Sequence, residues 1–188
     1  MAKLALLQLL PIFVTAVVVV LVAAAPDHKE HLNHNGLGPE RLTHLHFYFH
    51  DSVSGKNPSA IRVAAAPTTD HSPSLFGLVM MADDLLTQGP EPTSKLVGRA
   101  HGLYGSASKE ELGLIMAMSY CFTDGVYNGS TLSVMGLNSA AHPVREMPIV
   151  GGTGVFRFAR GVALAKTYWV NFTSGDAIVE YNVTVVHY

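Results

Sequence analysis

One cysteine, Cys121, and one tryptophan, Trp169, stand among 188 residues. A lone cysteine excludes an intramolecular disulfide and any multi-cysteine zinc or iron–sulfur site. Charge is sparse as well: 14% of the residues are Asp, Glu, Lys or Arg, and the formal net charge is −2. No Lys/Arg cluster appears, which argues against nucleic-acid binding, a function that needs a basic footprint. No nucleophile elbow, kinase signature or zinc-protease motif occurs, and no Ser/His/Asp triad can be picked out by spacing. The length is too small for a TIM barrel or a two-domain dehydrogenase.

What is present is unevenly spread. Residues 1–25 hold 21 apolar side chains and one charge, Lys3. A short positive start, an apolar run from Leu4 to Val22 and the small residues Ala23, Ala24 and Ala25 predict a cleaved signal peptide over 1–25. The rival reading is a membrane anchor, but Gln8 and Pro11 interrupt the run and no basic cluster follows it. After cleavage 163 residues remain, with eleven basic against fourteen acidic side chains. The expected destination is therefore secreted: the extracellular space, apoplast or cell wall. Three Asn-x-Ser/Thr sequons, at Asn128, Asn171 and Asn182, suit that route and are candidate glycosylation sites. All ten histidines lie in the mature chain, which would become cationic in an acidic wall.

Residues 26–41 are polar and rich in His, Asn, Gly and Pro, and read as a flexible N-terminal arm. From residue 42 to 188 short alternating runs are cut by Gly, Pro, Asn and Asp. Strands are predicted at 43–50, 60–66, 75–82, 96–104, 112–122, 130–137, 155–169 and 176–187. The last is the cleanest: Ala177, Val179, Tyr181, Val183 and Val185 alternate with a wetter face. Ser108–Met118 reads equally as helix or strand. Seven or eight strands without βα alternation indicate one all-β domain, an antiparallel barrel or sandwich.

Alternation places His44, His46, Tyr48 and His50 on one face of the first strand and Leu45, Phe47, Phe49 and Asp51 on the other. An apolar row ending in a carboxylate puts Asp51 beside the core, where burial raises its pKa and suits a general acid. The competing role is a cap for the turn at Ser52–Gly55. Two imidazoles, His44 and His46, would need a converging third ligand to bind metal, and none is evident, so no metal is expected. Cys121 has apolar neighbours and reads as a buried small hydrophobe. Gly151-Gly152-Thr153-Gly154 lacks the rest of a phosphate loop and reads as a turn between strands. Asp83-Asp84 follows an apolar run, so one carboxylate points inward and the other to water. Arg145 is either an inward cation near the carboxylates or a surface ion pair.

The stretches FYFHD (47–51), GKNPSA (55–60), FGLVMMADDLLT (76–87), KLVGRAHGLY (95–104), NGSTLSVMGLN (128–138), REMPIVGGTGVFRFARG (145–161) and GDAIVEYNVTVVHY (175–188) resemble, in order, the dirigent protein family of plants. The resemblance implies an eight-stranded antiparallel β-barrel of the dirigent and allene-oxide-cyclase type, forming a homo-oligomer, a dimer or trimer. It implies no cofactor and no redox centre. A separate laccase or peroxidase makes phenoxy radicals from a monolignol such as coniferyl alcohol, and the barrel fixes which faces couple to a lignan. Radical coupling has almost no barrier, so orientation suffices. Relatives act as pterocarpan synthases, dehydrating an isoflavanol through a quinone methide. A third possibility is a cell-wall binding protein without small-molecule chemistry. By family motif Asp51, Asp83, Tyr104 and Arg145 look like the catalytic set, with Phe49, Asn138 and His101 binding substrate. Asn138 stands where lignan-forming members typically carry Asp, and His101 where a Gln is usual. The family's frequent disulfide is missing.

Overall fold

The computed structural model describes residues 37–188; the expected signal peptide and most of the expected arm lie outside them. Nine strands follow: β1 (Arg41–Asp51), β2 (Ala60–Ala64), β3 (Val79–Thr87), β4 (Leu96–Ser106), β5 (Gly113–Phe122), β6 (Thr131–Ser139), β7 (Arg145–Thr153), β8 (Arg160–Val170) and β9 (Ala177–His187). All pairings are antiparallel, in the order β1-β9-β8-β7-β6-β5-β4-β3, and β1 returns to β3 to close an eight-stranded barrel. Closure removes the exposed edges that an open sheet would carry. Short β2 is the ninth strand, pairing with the first half of β3 where β1 has left it. Among the described residues no helix is long and apolar enough to cross a membrane.

The fold matches the expected class, but two strands begin later than expected and one was not expected. The third begins at Val79 rather than 75, because Leu75 and Gly77 take positive φ and turn the chain. The eighth begins at Arg160, because Gly154 and Phe158 also have positive φ and residues 154–156 make one 3-10 turn. Of the expected turn 151–154, residues 151–153 belong to β7, paired with β6; a side chain at Gly152 would place its Cβ 2.5 Å from the Phe156 carbonyl oxygen. β7 was not expected; within it Pro148 pairs only toward β8 and lies where the β6 ladder has ended. There its missing N–H costs nothing. Ser108–Met118 resolves into a turn and the start of β5.

Inward positions carry the core: Phe47 and Phe49 of β1, Tyr104 of β4, Met116, Met118, Tyr120 and Phe122 of β5, and Tyr181, Val183 and Val185 of β9. Phe47 sits at its centre, stacked on Tyr181 and edge-on to Tyr120, contacts that add to simple area burial. The outer face is not uniformly polar. Ile61, Met81, Leu103 and Met135 stand in adjacent register across β2 to β6, each 37–57% exposed.

Candidate active site

β1 stops pairing with β3 at His50, and β2 takes over only at Ala60. The loop between them, 52–59, folds over the gap and is closed by Ser59 N–H and Ala60 N–H donating to the Ser52 carbonyl. Asp176 fastens the other side of this loop. Its carboxylate accepts from the N–H groups of Val53 and Ser54 and from the hydroxyls of Ser54 and Ser174. Those donors hold the Asp176 carboxyl below its usual range, the Ser54 hydroxyl foremost. The turn after β1 is thus capped by Asp176, which frees Asp51 for other work.

Asp51 turns toward the interior, as alternation required. The Tyr104 hydroxyl donates to Asp51 Oδ1 at 3.1 Å. Burial raises the Asp51 carboxyl to about 6, against the lowering effect of that hydrogen bond. The second acid is Asp84. It is fully buried, accepts from the Ser59 hydroxyl at Oδ1, and has no partner for Oδ2 among the described residues. Burial first and the nearby Asp51 charge second raise it to about 7. Burial and the adjoining carboxylates also push the Tyr104 phenol far above its ordinary value, so it stays a proton donor in hydrogen bonds.

Two of the family-derived assignments fall outside this cluster. Asp83 points away from the barrel and pairs with Arg99 and His101 on the surface, and Arg99 holds its carboxyl below the usual range. Adjacent strand residues face opposite sides, so Asp84 takes the interior place expected for Asp83. His101 is likewise outside, 51% exposed at the side chain, with its Nε2 2.9 Å from Asp83 Oδ1. Cys121 also faces outward, its sulfur 3.5 Å from His101 Nδ1, rather than joining the core. On β1, His44 and His46 are solvated as expected, but His50 is buried and donates from Nε2 to Thr87 Oγ1; burial lowers its pKa. Phe49 is inward and 3% exposed.

A cationic pole completes the interior. Arg145 is 5% exposed, and its Nε donates to Asn138 Oδ1 at 3.0 Å while Nη1 reaches Thr167 Oγ1 at 3.0 Å and the His142 carbonyl. No carboxylate among the described residues lies within ion-pairing distance of it. A buried guanidinium satisfied only by neutral acceptors is poised for an anionic oxygen. Beside the acids a cavity of about 580 Å³ opens to the exterior. Asp51 and Ser59 lie on its wall with His50, the outward Asp83 and Arg99, and Trp169, so Asp51 is within reach of a small aromatic molecule, with Asp84 buried behind Ser59.

Likeness to known proteins decides the family. A family model described as Dirigent-like protein matches residues 42–186. The chain belongs to the dirigent family. Dirigent protein 23 of Arabidopsis thaliana is 62% identical over 150 residues, 80% of each chain. Pterocarpan synthase 1 of Glycyrrhiza echinata is 57% identical over 155 residues, covering 81% of this chain and 82% of that one. The solved structure of the pterocarpan synthase dirigent protein GePTS1 superposes with a TM-score of 0.76 at 57% identity, over 81% of this chain and 88% of that one. The dirigent barrel thus holds two inward acids, an inward arginine and an aromatic core between them.

Proposed function

We propose that this dirigent protein binds a phenolic alcohol at the Asp51–Asp84 pair and dehydrates it through a quinone methide, as an isoflavanol would be closed to a pterocarpan. The observation that carries this reading is the pair itself: two buried carboxyls, raised to about 6 and about 7. Near neutral pH such a pair shares one proton, offering an acid and a base side by side. The likeness to pterocarpan synthases adds support.

The chemistry balances without a cofactor or oxidant. Protonated Asp84 gives its proton to the benzylic hydroxyl, which leaves as water. Ionised Asp51 takes the proton of the conjugated phenol, producing a neutral quinone methide. A second phenolic hydroxyl of the same substrate then adds to the methide carbon. Its proton goes to Asp84 while Asp51 returns one to the quinone oxygen, restoring both acids. Arg145, with Asn138 and Thr167, holds an oxygen on which negative charge builds. Tyr104 keeps the Asp51 carboxylate oriented.

Stereo-directed coupling of monolignol radicals supplied by a laccase or peroxidase is the second reading. It is favoured by the same acid pair, because the coupled bis-quinone methide also needs protonation at its carbonyl oxygens before ring closure. Two incubations of the purified protein separate the two. One holds a racemic isoflavanol without oxidant and the other coniferyl alcohol with a laccase, each followed by chiral chromatography. Pterocarpan in the first supports dehydration; optically enriched lignan in the second alone transfers the protein to radical coupling.

The setting of this activity is the secretory route to the apoplast, with the expected leader removed and glycan on outward sequons. Asn182 is exposed on the barrel's outer face, and Asn171 and Asn128 lie at the β8–β9 and β5–β6 turns. The apolar row Ile61, Met81, Leu103 and Met135 suits association with further copies of the chain.

A further inference from the structure

The barrel wall has a second opening, away from the acids. β1 pairs with β3 only from Tyr48 to His50. From Arg41 to Phe47 its one strand partner among the described residues is β9. The other edge of β1 faces a gap there, because β3 ends at Thr87 and the chain turns away through 88–95 before β4 begins. The Thr87 hydroxyl donates to the Gly89 carbonyl, and the Gln88 N–H to the Lys95 carbonyl, which fixes that turn. Across the gap stand the start of β4 and the turn 123–127, tied together by the Thr123 N–H donating to the Val97 carbonyl. A cavity of about 320 Å³ lies in the gap, a size within the roughly 300–1,000 Å³ of small-molecule sites. It shares no lining residue with the cavity beside Asp51. Phe47 on its wall lies four residues before Asp51, about 13 Å along the strand.

The lining divides into two chemistries. Phe47 and Phe122 are buried, and Leu45, Val97 and Tyr127 are partly buried against them, so these five make the inner end. Phe122 lies edge-on to Phe47, and Tyr127 is tilted against Phe122, each pair with centroids 6.2 Å apart. Such a cluster of ring faces and edges accepts one more aromatic ring. The mouth carries His46, Gln88, Lys95 and Asp124. Its charges are matched locally: Lys95 Nζ pairs with Asp124 Oδ2 at 2.5 Å, and His46 Nε2 lies 2.9 Å from Glu180 Oε1. The Gln88 amide adds a neutral donor and acceptor. An anionic ligand would meet the Asp124 carboxylate there, and a cationic one the Lys95 ammonium. A hydroxyl both donates and accepts, so a set of hydroxyls suits this mouth better than either. An aromatic ring at one end and several hydroxyls at the other describe an aryl glycoside.

We propose that this cavity binds an aryl glycoside, its aromatic ring against Phe122 and Tyr127 and its sugar hydroxyls at Gln88, Lys95 and Asp124. The ligand is held without being cleaved. Glycosidic hydrolysis ordinarily uses two carboxyl groups flanking the scissile bond. Among the described residues Asp124 is the one carboxylate on this wall, and Lys95 already pairs with it. The Asp51–Asp84 pair takes no part, so this site is independent of the dehydration reading.

The intact mature protein, labelled with ¹⁵N, is titrated with 4-nitrophenyl β-D-glucopyranoside and, separately, with its two halves, 4-nitrophenol and methyl β-D-glucopyranoside. The aryl glycoside is expected to shift the amides of Val97, Gly125, Val126 and Tyr127 saturably and to leave those of Asp51, Trp169 and Ala177 in place. Each half alone is expected to bind at least about tenfold more weakly, since it meets only one of the two chemistries. Gln88→Ala and Lys95→Ala, both at exposed positions, should each weaken the glycoside about threefold to tenfold, the worth of one hydrogen bond. Neither should alter the affinity for 4-nitrophenol or shift the melting temperature by more than a few degrees. No nitrophenolate absorbance should develop. Shifts confined to the cavity beside Asp51, 4-nitrophenol binding as tightly as the glycoside, or no saturable shift at millimolar concentration would each overturn the assignment. Release of nitrophenolate would overturn binding without cleavage, and unchanged affinity in both variants would remove the sugar from this mouth.

Discussion

The Tyr104 hydroxyl reaches from β4 across to β1 and donates to Asp51 Oδ1 at 3.1 Å, joining residues 53 positions apart in the chain. This contact fixes one carboxylate oxygen of Asp51. Asp51→Asn keeps an acceptor for Tyr104 and removes only the titrating group. Turnover of an isoflavanol is expected to fall about 10²- to 10⁴-fold, the usual worth of a general acid or base, with the melting temperature within a few degrees of the parent. Loss of activity together with loss of the folded state would point to a structural role instead.

Asp84 should be visible in the stability profile. Its folded-state pKa is raised to about 7 from an ordinary 3.8, mainly by burial. A carboxyl raised on folding contributes stability that is fully present below pH 4 and is lost as pH rises through about 7. Asp84→Asn abolishes that loss. The melting temperature of the variant relative to the parent is therefore expected to climb by several degrees between pH 4.5 and pH 8, measured by differential scanning fluorimetry. A constant offset across that range would show that Asp84 titrates normally.

The acid pair also shows where the sequence was legible and where it was not. Asp51 could be read because Leu45, Phe47 and Phe49 contrast with His44, His46 and Tyr48 on one strand. β3 offers no such contrast: Val79, Met80, Met81 and Ala82 are apolar on both faces, since Met81 belongs to the apolar outer row. Parity could not say which of Asp83 and Asp84 faced inward. His101 faces outward. It lies three residues from Tyr104 on one strand, so the two cannot share a face. Tyr120 and Tyr181 looked like ordinary core residues, and their meeting across β5 and β9 is a product of barrel closure that no local pattern encodes. Asp176 was missed for the same reason, since the loop it anchors is 122 residues away.

That anchor makes its own prediction. Asp176 gathers two backbone N–H groups and two hydroxyls around one carboxylate. Asp176→Ala leaves those donors to water and frees loop 52–59, at a cost of about 1–3 kcal/mol. Hydrogen exchange at the Val53 and Ser54 amides is expected to accelerate at least tenfold while the β5–β6 amides hold their protection. Uniform acceleration would instead indicate global destabilisation.

Asn138 marks a choice of chemistry. It accepts from Arg145 Nε, and as an amide it leaves the buried guanidinium uncompensated. Asn138→Asp places a carboxylate at that contact, converting the pole to a neutral ion pair. A substrate oxygen bearing negative charge then gains less from Arg145, so isoflavanol turnover is expected to drop at least tenfold. The same variant adds a third interior acid, and incubations of coniferyl alcohol with laccase are expected to gain optical enrichment. Unchanged turnover would mean that Arg145 does not touch the developing charge.

The outer row bears on assembly. Met135 is 57% exposed and continues the line Ile61, Met81 and Leu103 across five paired strands, with Ala117 between Leu103 and Met135. A charge placed there meets no core and should leave the isolated barrel intact, yet it would be buried and unpaired wherever copies associate through this face. Met135→Glu is therefore expected to shift sedimentation toward the single-chain species at micromolar concentration without lowering the melting temperature by more than a few degrees. The acids lie inside each barrel, so turnover per chain should persist in the dissociated form. Sedimentation identical to the parent would assign association to another surface.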